Sequence, residues 1–403
     1  MAVKNEKAEV VSSSEPRRVT ILGSTGSVGC QTIDIIQRNS RAYKVEALTA
    51  GSNVKLVAAQ AKELKPSFVA VANPEVYSEL KDYLSGENIE VACGPDAVVE
   101  AAARDAEWVM ASIVGAAGLK PTLAAVERGA TVAFANKECL VCAGELMMAE
   151  IDRYGATLIP VDSEHNAIFQ VFDFDNKKGI EKLILTASGG PFRNWTSEEM
   201  KRASPAEAVA HPNWDMGAKI SVDSATMMNK GLEVIEAYHL FGLNEDKIDV
   251  VVHPQSVIHS MVSYVDGSVL AQLGTPDMRT PIAYALGFPD RVETPCDRLN
   301  WQKLMTLTFE APDPERFPAL RIAREALNEG GSAPIVMNAA NEIAVAHFLQ
   351  NKIGFMDIPA VVENSLANFD HCRPQSLSEV HVLDSEARRV AMTIITTMSK
   401  RNK

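Results

Sequence analysis

Short apolar segments alternate with amphipathic stretches from Arg17 to Asp162. The apolar segments are rich in β-branched and small residues, and the stretches between them, such as CQTIDIIQRN, repeat apolar residues at helical spacing. In order, the segments are RRVTIL (17–22), VEALTAG (45–51), FVAVAN (68–73), VMASIVG (109–115), TVAFAN (131–136) and a last one near Thr157 to Val161. This pattern predicts an α/β fold with a Rossmann-like, doubly wound parallel sheet.

The pattern changes after Ile180. Four segments alternate polar and apolar residues as an open sheet does, and Asp266-Gly267 is typical of a hairpin turn. They are IEKLILTAS (180–188), KISVDS (219–224), IDVVVHPQ (248–255) and VIHSMVSYVDGSVLAQLG (257–274). We therefore predict a central α+β domain.

The last part of the chain has only helical patterns. Prolines 289, 295, 312, 314 and 318 predict an extended connector, and helices are expected over 319–328, 334–350 and 385–398. The predicted organisation is a disordered tail (1–16), a cofactor-binding domain (17–165), a catalytic domain (166–290), a linker (291–318) and a small C-terminal helical domain (319–403).

Composition narrows the classes of protein. A net charge of −13 over 403 residues argues against nucleic acid as the main partner. No apolar run reaches the roughly 18 residues of a membrane span, and the first 16 residues resemble neither a signal nor a transit peptide. Six cysteines are typical of thiols in a reducing compartment, so we expect the cytoplasm. Cys139 and Cys142 form a CxxC, but no second pair follows, which disfavours a redox or metal pair.

The turn GSTGSVG (23–29) follows a strand and opens a helix. Its backbone N–H groups and helix dipole would face a pyrophosphate, although a plain tight turn has the same spacing. The second strand ends in Ala50-Gly51-Ser52-Asn53, without the carboxylate that NAD enzymes use, and Glu46 lies too early to serve. With Ser52, Asn53 and Lys55 available to a 2′-phosphate, NADP(H) is favoured.

Asp162 and Glu164 follow a strand two residues apart, so both carboxylates project to one side and can hold a cation. Alternatively, Asp162 or Ser163 caps the next helix. With Glu233 as a third oxygen ligand, Mg²⁺ or Mn²⁺ is preferred to Zn²⁺. Lys137 ends another strand, where it can orient a substrate oxygen or simply be a surface lysine.

The stretch from His211 to Glu236 is dense in polar groups. Asn229 and Glu233 share a helical face, and the stretch as a whole indicates a polar ligand such as a phosphate or polyol. Its candidate donors and acceptors are Ser221, Asp223, Ser224, Asn229 and Lys230. Ser188-Gly189-Gly190 resembles an anion nest or a simple glycine turn. His211 and His259, taken singly, are typical of ordinary hydrogen-bonded histidines.

The motifs together resemble a known family. In this order and spacing, GSTGSVG, ANKE, PVDSEHNAIFQ, TASGGPF, HPNWDMG and SVDSATMMNKGLEVIEA are similar to those of the 1-deoxy-D-xylulose 5-phosphate reductoisomerases, from about Arg17 to about Asp370. The resemblance implies NADPH-dependent conversion of that ketose phosphate to 2-C-methyl-D-erythritol 4-phosphate, on the non-mevalonate route to isoprenoids. It also implies Mg²⁺ or Mn²⁺, with Co²⁺ as a further option, and a homodimer formed through the central sheet.

The resemblance also implies roles for individual residues. NADPH would contact Thr25, Gly26, Ser27, Val28, Gly51, Ser52, Asn53, Asn136, Glu138 and Gly217, with Ser52 standing where some relatives have lysine. The metal ligands would be Asp162, Glu164 and Glu233, and the catalytic residues Lys137, Glu164, His211 and Glu233. Substrate would contact Lys137, Ser163, Glu164, Ser188, His211, Trp214, Ser224, Asn229, Lys230, Glu233 and His259. Residues 191–217, including Trp214, would form a lid.

Two other functions use the same cofactor domain. A simple dehydrogenase of a phosphorylated sugar or semialdehyde needs no third carboxylate. A redox-sensing module that binds NADP(H) needs neither the acidic residues nor the phosphate cluster.

Overall fold

The computed structural model describes residues 15–214, 216–304 and 306–401, so most of the predicted tail lies outside the described residues. The chain forms two compact units. The first comprises Met1–Cys139, Met147–Phe169 and Asp277–Asp297, and the second comprises Leu140–Leu146, Gln170–Pro276 and Arg298–Lys403. These limits differ from the predicted domain boundaries, since residues 277–297 belong to the first unit. The division into cofactor, catalytic and helical domains stays a prediction.

The first unit contains the predicted parallel sheet. Its strands are β1 (Arg17–Leu22), β2 (Tyr43–Ala50), β3 (Phe68–Val71), β4 (Glu90–Cys93), β5 (Trp108–Ala111), β6 (Thr131–Phe134) and β7 (Thr157–Pro160). Their order is β4-β3-β2-β1-β5-β6-β7, and every pair is parallel. The predicted doubly wound sheet is confirmed, with β4 as an additional strand. The order reverses beside β1, where such sheets bind ligands at the strands' carboxyl ends.

Sixteen helices lie within the described ranges. Those up to the central sheet are α1 (Ser27–Arg38), α2 (Val54–Leu64), α3 (Tyr77–Tyr83), α4 (Pro95–Ala103), α5 (Leu119–Val126), α6 (Lys137–Tyr154) and α7 (Ser163–Val171). The following ones are α8 (Ser197–Met200), α9 (Pro205–Val209), α10 (Ala218–Thr226), α11 (Met228–Phe241), α12 (Arg279–Gly287), α13 (Ala319–Glu329), α14 (Ala333–Leu349), α15 (Asp357–Ala367) and α16 (Leu377–Arg401). None of the described helices is both long and apolar enough to cross a membrane.

The second unit contains a mixed sheet in the order β11-β10-β8-β9. Its strands are β8 (Ile180–Ala187), β9 (Ile248–Val252), β10 (Ile258–Tyr264) and β11 (Val269–Leu273). The predicted hairpin is confirmed, because Tyr264 donates to the Ser268 carbonyl at 2.8 Å and Gly267 has a φ of +88°. The predicted α+β character is therefore correct.

One predicted strand is wrong: KISVDS lies within α10. The segment alternates over only six residues, and the buried residues of α10 are Ser221, Val222, Asp223, Ala225 and Thr226, a set without the two-residue period of a strand. Packing of the helix overrides the short local alternation.

The C-terminal helical prediction is confirmed. Helices α13 and α14 match the predicted ranges closely, whereas α15 had no predicted counterpart and α16 begins at Leu377, ahead of the expected Ser385. Within 289–318 the described residues form no helix or strand beyond a single bridge between Val252 and Glu310, as the prolines predict.

Candidate active site

The glycine turn after β1 is shaped for close backbone approach. Gly23 has a φ of +82°, and a Cβ at Gly29 would lie 2.3 Å from the Gly23 carbonyl oxygen, so only glycine allows α1 to pack against the turn. Gln60 on α2 fixes the same turn, because it accepts from the Ser24 hydroxyl at 2.8 Å and donates to the Ser24 carbonyl at 3.0 Å. The turn therefore presents the start of α1 in the arrangement that binds pyrophosphates.

The end of β2 carries no acidic side chain. Ser52 and Asn53 are exposed, and Asn53 also caps α2 by accepting from the Leu56 N–H at 3.3 Å. Glu46 is engaged elsewhere, since its carboxylate accepts from the Ser67 hydroxyl at 3.0 Å. This region fits a cofactor with a 2′-phosphate, because no carboxylate would repel it.

Lys137 is buried, which excludes the interpretation as a surface lysine. It opens α6 directly after Asn136, whose side chain accepts from the Cys139 N–H at 3.3 Å and donates to the Gly115 carbonyl at 2.9 Å. The Lys137 ammonium lies 2.6 Å from the Asp162 carboxylate. The neighbouring Glu138 is buried as well.

Asp162 takes the predicted helix-cap role, and its role as a cation ligand stays a prediction. One oxygen accepts from the Glu164 N–H at 3.3 Å, in the manner of a helix cap, and the other faces Lys137. Burial alone would raise the pKa of Asp162, but Lys137, together with His165 at 3.5 Å, holds that pKa well below its usual range. A carboxylate oxygen of Glu164 lies within 4.8 Å of one of Asp162, a spacing that one hard cation can bridge.

Ser188 and His211 are brought together in the second unit. The Ser188 hydroxyl lies 2.8 Å from His211 Nε2 and accepts from the Gly190 N–H at 3.2 Å. The backbone N–H groups of Asn213 and Trp214 donate to His211 Nδ1 at 3.2 and 3.0 Å. We therefore assign the imidazole proton to Nε2, where it donates to Ser188. Burial lowers the pKa of His211, which favours this neutral form.

The turn that carries His211 is anchored by a residue that sequence analysis missed. Asn213 donates to the Pro254 carbonyl at 2.7 Å and to the Ser256 hydroxyl at 3.1 Å. Its partners lie about 40 residues further along the chain, so no local pattern signals the contact. The Trp214 ring lies 6.0 Å from that of His259, whose pKa is lowered to about 4 by burial. His259 is therefore neutral at neutral pH.

Glu233 lies on α11 with Asn229 and Lys230, two of the residues predicted to contact the substrate. The Asn229 amide donates to Glu233 Oε1, and the Lys230 ammonium contacts Glu233 Oε2. Lys230 and Glu233 are 3% and 0% exposed, so the ion pair is almost fully removed from solvent. The predicted shared face of Asn229 and Glu233 is confirmed. Ser224, near the end of α10, lies beside the turn Ser188-Gly189-Gly190, because a Cβ at Gly190 would be 2.7 Å from the Ser224 carbonyl oxygen.

Two of the residues first considered as ligand contacts have internal partners instead. Ser221 donates to the Gly217 carbonyl at 3.0 Å. Asp223 is contacted by Lys219 of the same helix at 2.9 Å and by Asn341 of α14 at 2.8 Å, so both of its oxygens have partners within the protein. Cys139 and Cys142 are buried thiols, and among the described residues neither belongs to a cluster with metal-ligand spacing.

The fold defines a class of enzymes in which a dinucleotide-binding sheet is combined with an α+β unit. Three family models match the chain: 1-deoxy-D-xylulose 5-phosphate reductoisomerase (residues 19–144), its C-terminal domain (158–241) and the DXP reductoisomerase C-terminal domain (273–390). The enzyme of that name from Rhodospirillum centenum is 63% identical over 379 residues, covering 94% of each chain. The one from Zymomonas mobilis is 55% identical, covering 96% of this chain and 99% of its own. The chain belongs to the 1-deoxy-D-xylulose 5-phosphate reductoisomerase family.

Solved structures agree with this assignment. The Zymomonas mobilis enzyme in complex with NADPH has a TM-score of 0.90 at 54% identity, covering 94% of this chain and 99% of that one. A DOX-P reductoisomerase in complex with NADPH, fosmidomycin and magnesium also has a TM-score of 0.90, at 43% identity, covering 95% of this chain and 99% of that one. The resemblance found in the sequence is confirmed.

The buried pair of Lys137 and Asp162 generates a prediction about stability. Lys137→Met leaves a buried carboxylate without its main counter-charge, so we expect the free energy of unfolding to fall by about 3 kcal/mol. Lys137→Met combined with Asp162→Asn removes both charges and should lose clearly less. Urea unfolding with chelator present measures these two variants and Asp162→Asn alone; a double variant that loses the sum of the two single losses would contradict the pairing.

Proposed function

We propose that this enzyme converts 1-deoxy-D-xylulose 5-phosphate to 2-C-methyl-D-erythritol 4-phosphate, with NADPH as reductant and a divalent metal ion. The observation that carries the proposal is the 63% identity to an enzyme of that name over 94% of both chains. The reaction is a rearrangement of the carbon skeleton followed by hydride transfer to the resulting aldehyde, and it supplies isoprenoid precursors.

The first unit offers the features that NADPH requires. The glycine turn leads into the start of α1, and the first N–H groups of a helix, which have no acceptor within the helix, suit a pyrophosphate. The end of β2 has hydroxyl and amide groups but no carboxylate. We assign cofactor contacts to Thr25, Gly26, Ser27, Val28, Gly51, Ser52, Asn53, Asn136, Glu138 and Gly217. Asn136 also caps α6, so its contact would come from a residue that is already held in place.

Asp162, Glu164 and Glu233 are the proposed metal ligands. Their donor atoms are hard carboxylate oxygens, which suits Mg²⁺ or Mn²⁺, and the buried Glu233 is a strong ligand because little water competes for it. A bound divalent ion supplies Lewis-acid chemistry, stabilising negative charge on the ketone and hydroxyl oxygens and polarising the aldehyde for hydride transfer.

The remaining polar residues bind and orient the substrate. Ser188, Ser224, Asn229 and Lys230 are assigned to the phosphate, which is remote from the reacting carbons and supplies binding energy for positioning. The Ser188 hydroxyl already accepts two hydrogen bonds, so its own proton can be donated to a phosphate oxygen. Lys230 provides the positive charge, because the neighbouring His259 is neutral.

At the reacting end we assign Lys137, Ser163, Glu164 and His211. The Lys137 ammonium is a buried donor, suited to an oxygen that gains negative charge during the reaction, and the half-buried His211 imidazole is neutral and donates from Nε2. The segment 191–217, with Trp214, would cover the substrate and exclude water from the aldehyde.

We also propose the cytoplasm as the location, since all six cysteines are thiols.

The proposed reaction requires three components at once. NADPH oxidation is expected only when both 1-deoxy-D-xylulose 5-phosphate and Mg²⁺ or Mn²⁺ are present, and chelation should abolish it. Absorbance at the nicotinamide band measures the rate. Turnover that persists after chelation would contradict the metal role, and NADPH binding without turnover would favour the redox-sensing alternative.

Glu233→Gln tests the proposed metal ligand on α11. We expect weaker Mn²⁺ binding, lower turnover and unchanged NADPH affinity. Because loss of a residue that only supports a metal ligand already costs roughly 10- to 100-fold, loss of a ligand should reduce turnover at least as much. Mn²⁺ titration and NADPH fluorescence separate the two effects, and Glu329→Gln, at an exposed acid of α13, serves as control. Wild-type Mn²⁺ affinity in Glu233→Gln would exclude this residue from the site.

We further propose that two copies associate through the edge of the second sheet. Strand β11 is an edge strand, and Val265, Val269 and Leu270 of the hairpin are 69%, 51% and 49% exposed. Apolar side chains along an open edge are typical of strands that pair with another chain.

Substitution of the edge tests the dimer. Wild type should have about twice the 43.7 kDa chain mass in light scattering, and Val269→Lys with Leu270→Lys should have the chain mass alone. Val382→Lys changes an equally exposed valine on α16 and should leave the dimer intact. A wild-type protein of single-chain mass at micromolar concentration would overturn the proposal.

A further inference from the structure

On α11, the residues assigned to the phosphate contact the residue assigned to the metal ion. Both oxygens of the proposed metal ligand Glu233 are occupied by the two α11 residues assigned to phosphate: Asn229 donates to Oε1 and Lys230 to Oε2. Positions i+3 and i+4 of a helix share a face, so the sequence itself brings the three groups together. The contacts that stabilise Glu233 in this structure thus use the donors that the phosphate needs.

Because Glu233 is buried, its negative charge needs a compensating partner. A buried carboxylate must be compensated by a charge or by hydrogen bonds, and Lys230 provides that charge for Glu233 with both side chains almost fully buried. A divalent ion at Glu233 would take over the compensation, which leaves the ammonium and the amide free to turn to another anion. A phosphate that attracts Lys230 would, in the same way, expose Glu233 to a metal ion.

The first unit repeats the arrangement. Lys137, assigned to the reacting end of the substrate, lies 2.6 Å from the proposed metal ligand Asp162. In each unit, therefore, a lysine assigned to the substrate neutralises a carboxylate assigned to the metal ion.

We infer that the metal ion and the phosphorylated substrate bind cooperatively, because the metal displaces Lys230 and Asn229 from Glu233 and makes them available to the phosphate. This inference rests on the proposed function and goes beyond it by coupling two of its ligands. Coupling of this kind is reciprocal: the phosphate raises the affinity for metal by the same factor by which the metal raises the affinity for phosphate.

The coupling is measurable without catalysis. Mn²⁺ is titrated into chelator-treated, full-length protein without NADPH, and free Mn²⁺ is followed by electron paramagnetic resonance, with and without methyl phosphate. We expect methyl phosphate to tighten Mn²⁺ binding by roughly tenfold, within the usual range of such couplings. Unchanged or weakened Mn²⁺ binding would overturn the inference.

Lys230→Met separates this mechanism from direct attraction between the two ligands. With its competitor removed, Glu233 should bind Mn²⁺ more tightly than in wild type even without phosphate, and the effect of methyl phosphate should nearly disappear. Direct attraction between cation and anion would instead persist in Lys230→Met, and that result would contradict the displacement mechanism.

Two further variants complete the test. Lys230→Arg retains a cation on Glu233 and should keep the coupling, whereas Lys219→Met removes a lysine from another buried carboxylate, Asp223, and should leave the coupling at its wild-type value. Mn²⁺ that binds equally well to Glu233→Gln would overturn the metal site itself and the coupling with it. Mn²⁺ that needs Glu233 but ignores methyl phosphate would overturn the coupling alone.

Discussion

Compensation of buried charge is the constraint on which the candidate site depends. Catalysis with a hard metal ion needs carboxylates in a place that excludes water, yet an isolated buried carboxylate is costly. The chain meets both demands by pairing Asp162 with Lys137 and Glu233 with Lys230. We propose that each carboxylate exchanges its lysine for a metal ion, which keeps its charge compensated, and that the displaced lysine then donates to the substrate.

The fold places one of these pairs at the ends of strands and the other on a helix. Asp162 follows β7 and caps α7, while Lys137 follows β6 and opens α6, so parallel strands that are neighbours in the sheet deliver the two partners. On α11 the helical repeat alone brings Lys230 to Glu233. The glycine turn at the cofactor site is held in a similar way, because β1 precedes this short connection and α1 follows it.

Much of this architecture is local and could be predicted from the sequence. Buried strands have a distinct composition, the glycine spacing follows from the turn, and the shared face of Asn229 and Glu233 follows from the helical repeat. Contacts between distant segments could not be predicted, because no pattern links Asn213 to Ser256 or Gln60 to Ser24. The strand predicted for KISVDS was wrong for a related reason, because packing against residues outside the segment determines its structure and the local alternation does not reveal that packing.

The central claim is that this chain rearranges a carbon skeleton before it delivers hydride. The most direct test is nuclear magnetic resonance of the product formed from ¹³C-labelled 1-deoxy-D-xylulose 5-phosphate and NADPH carrying deuterium at the transferred position. The account predicts a branched product with one deuterium on the carbon that was the aldehyde. An unbranched product with deuterium at the former ketone carbon would contradict it and would identify a simple dehydrogenase.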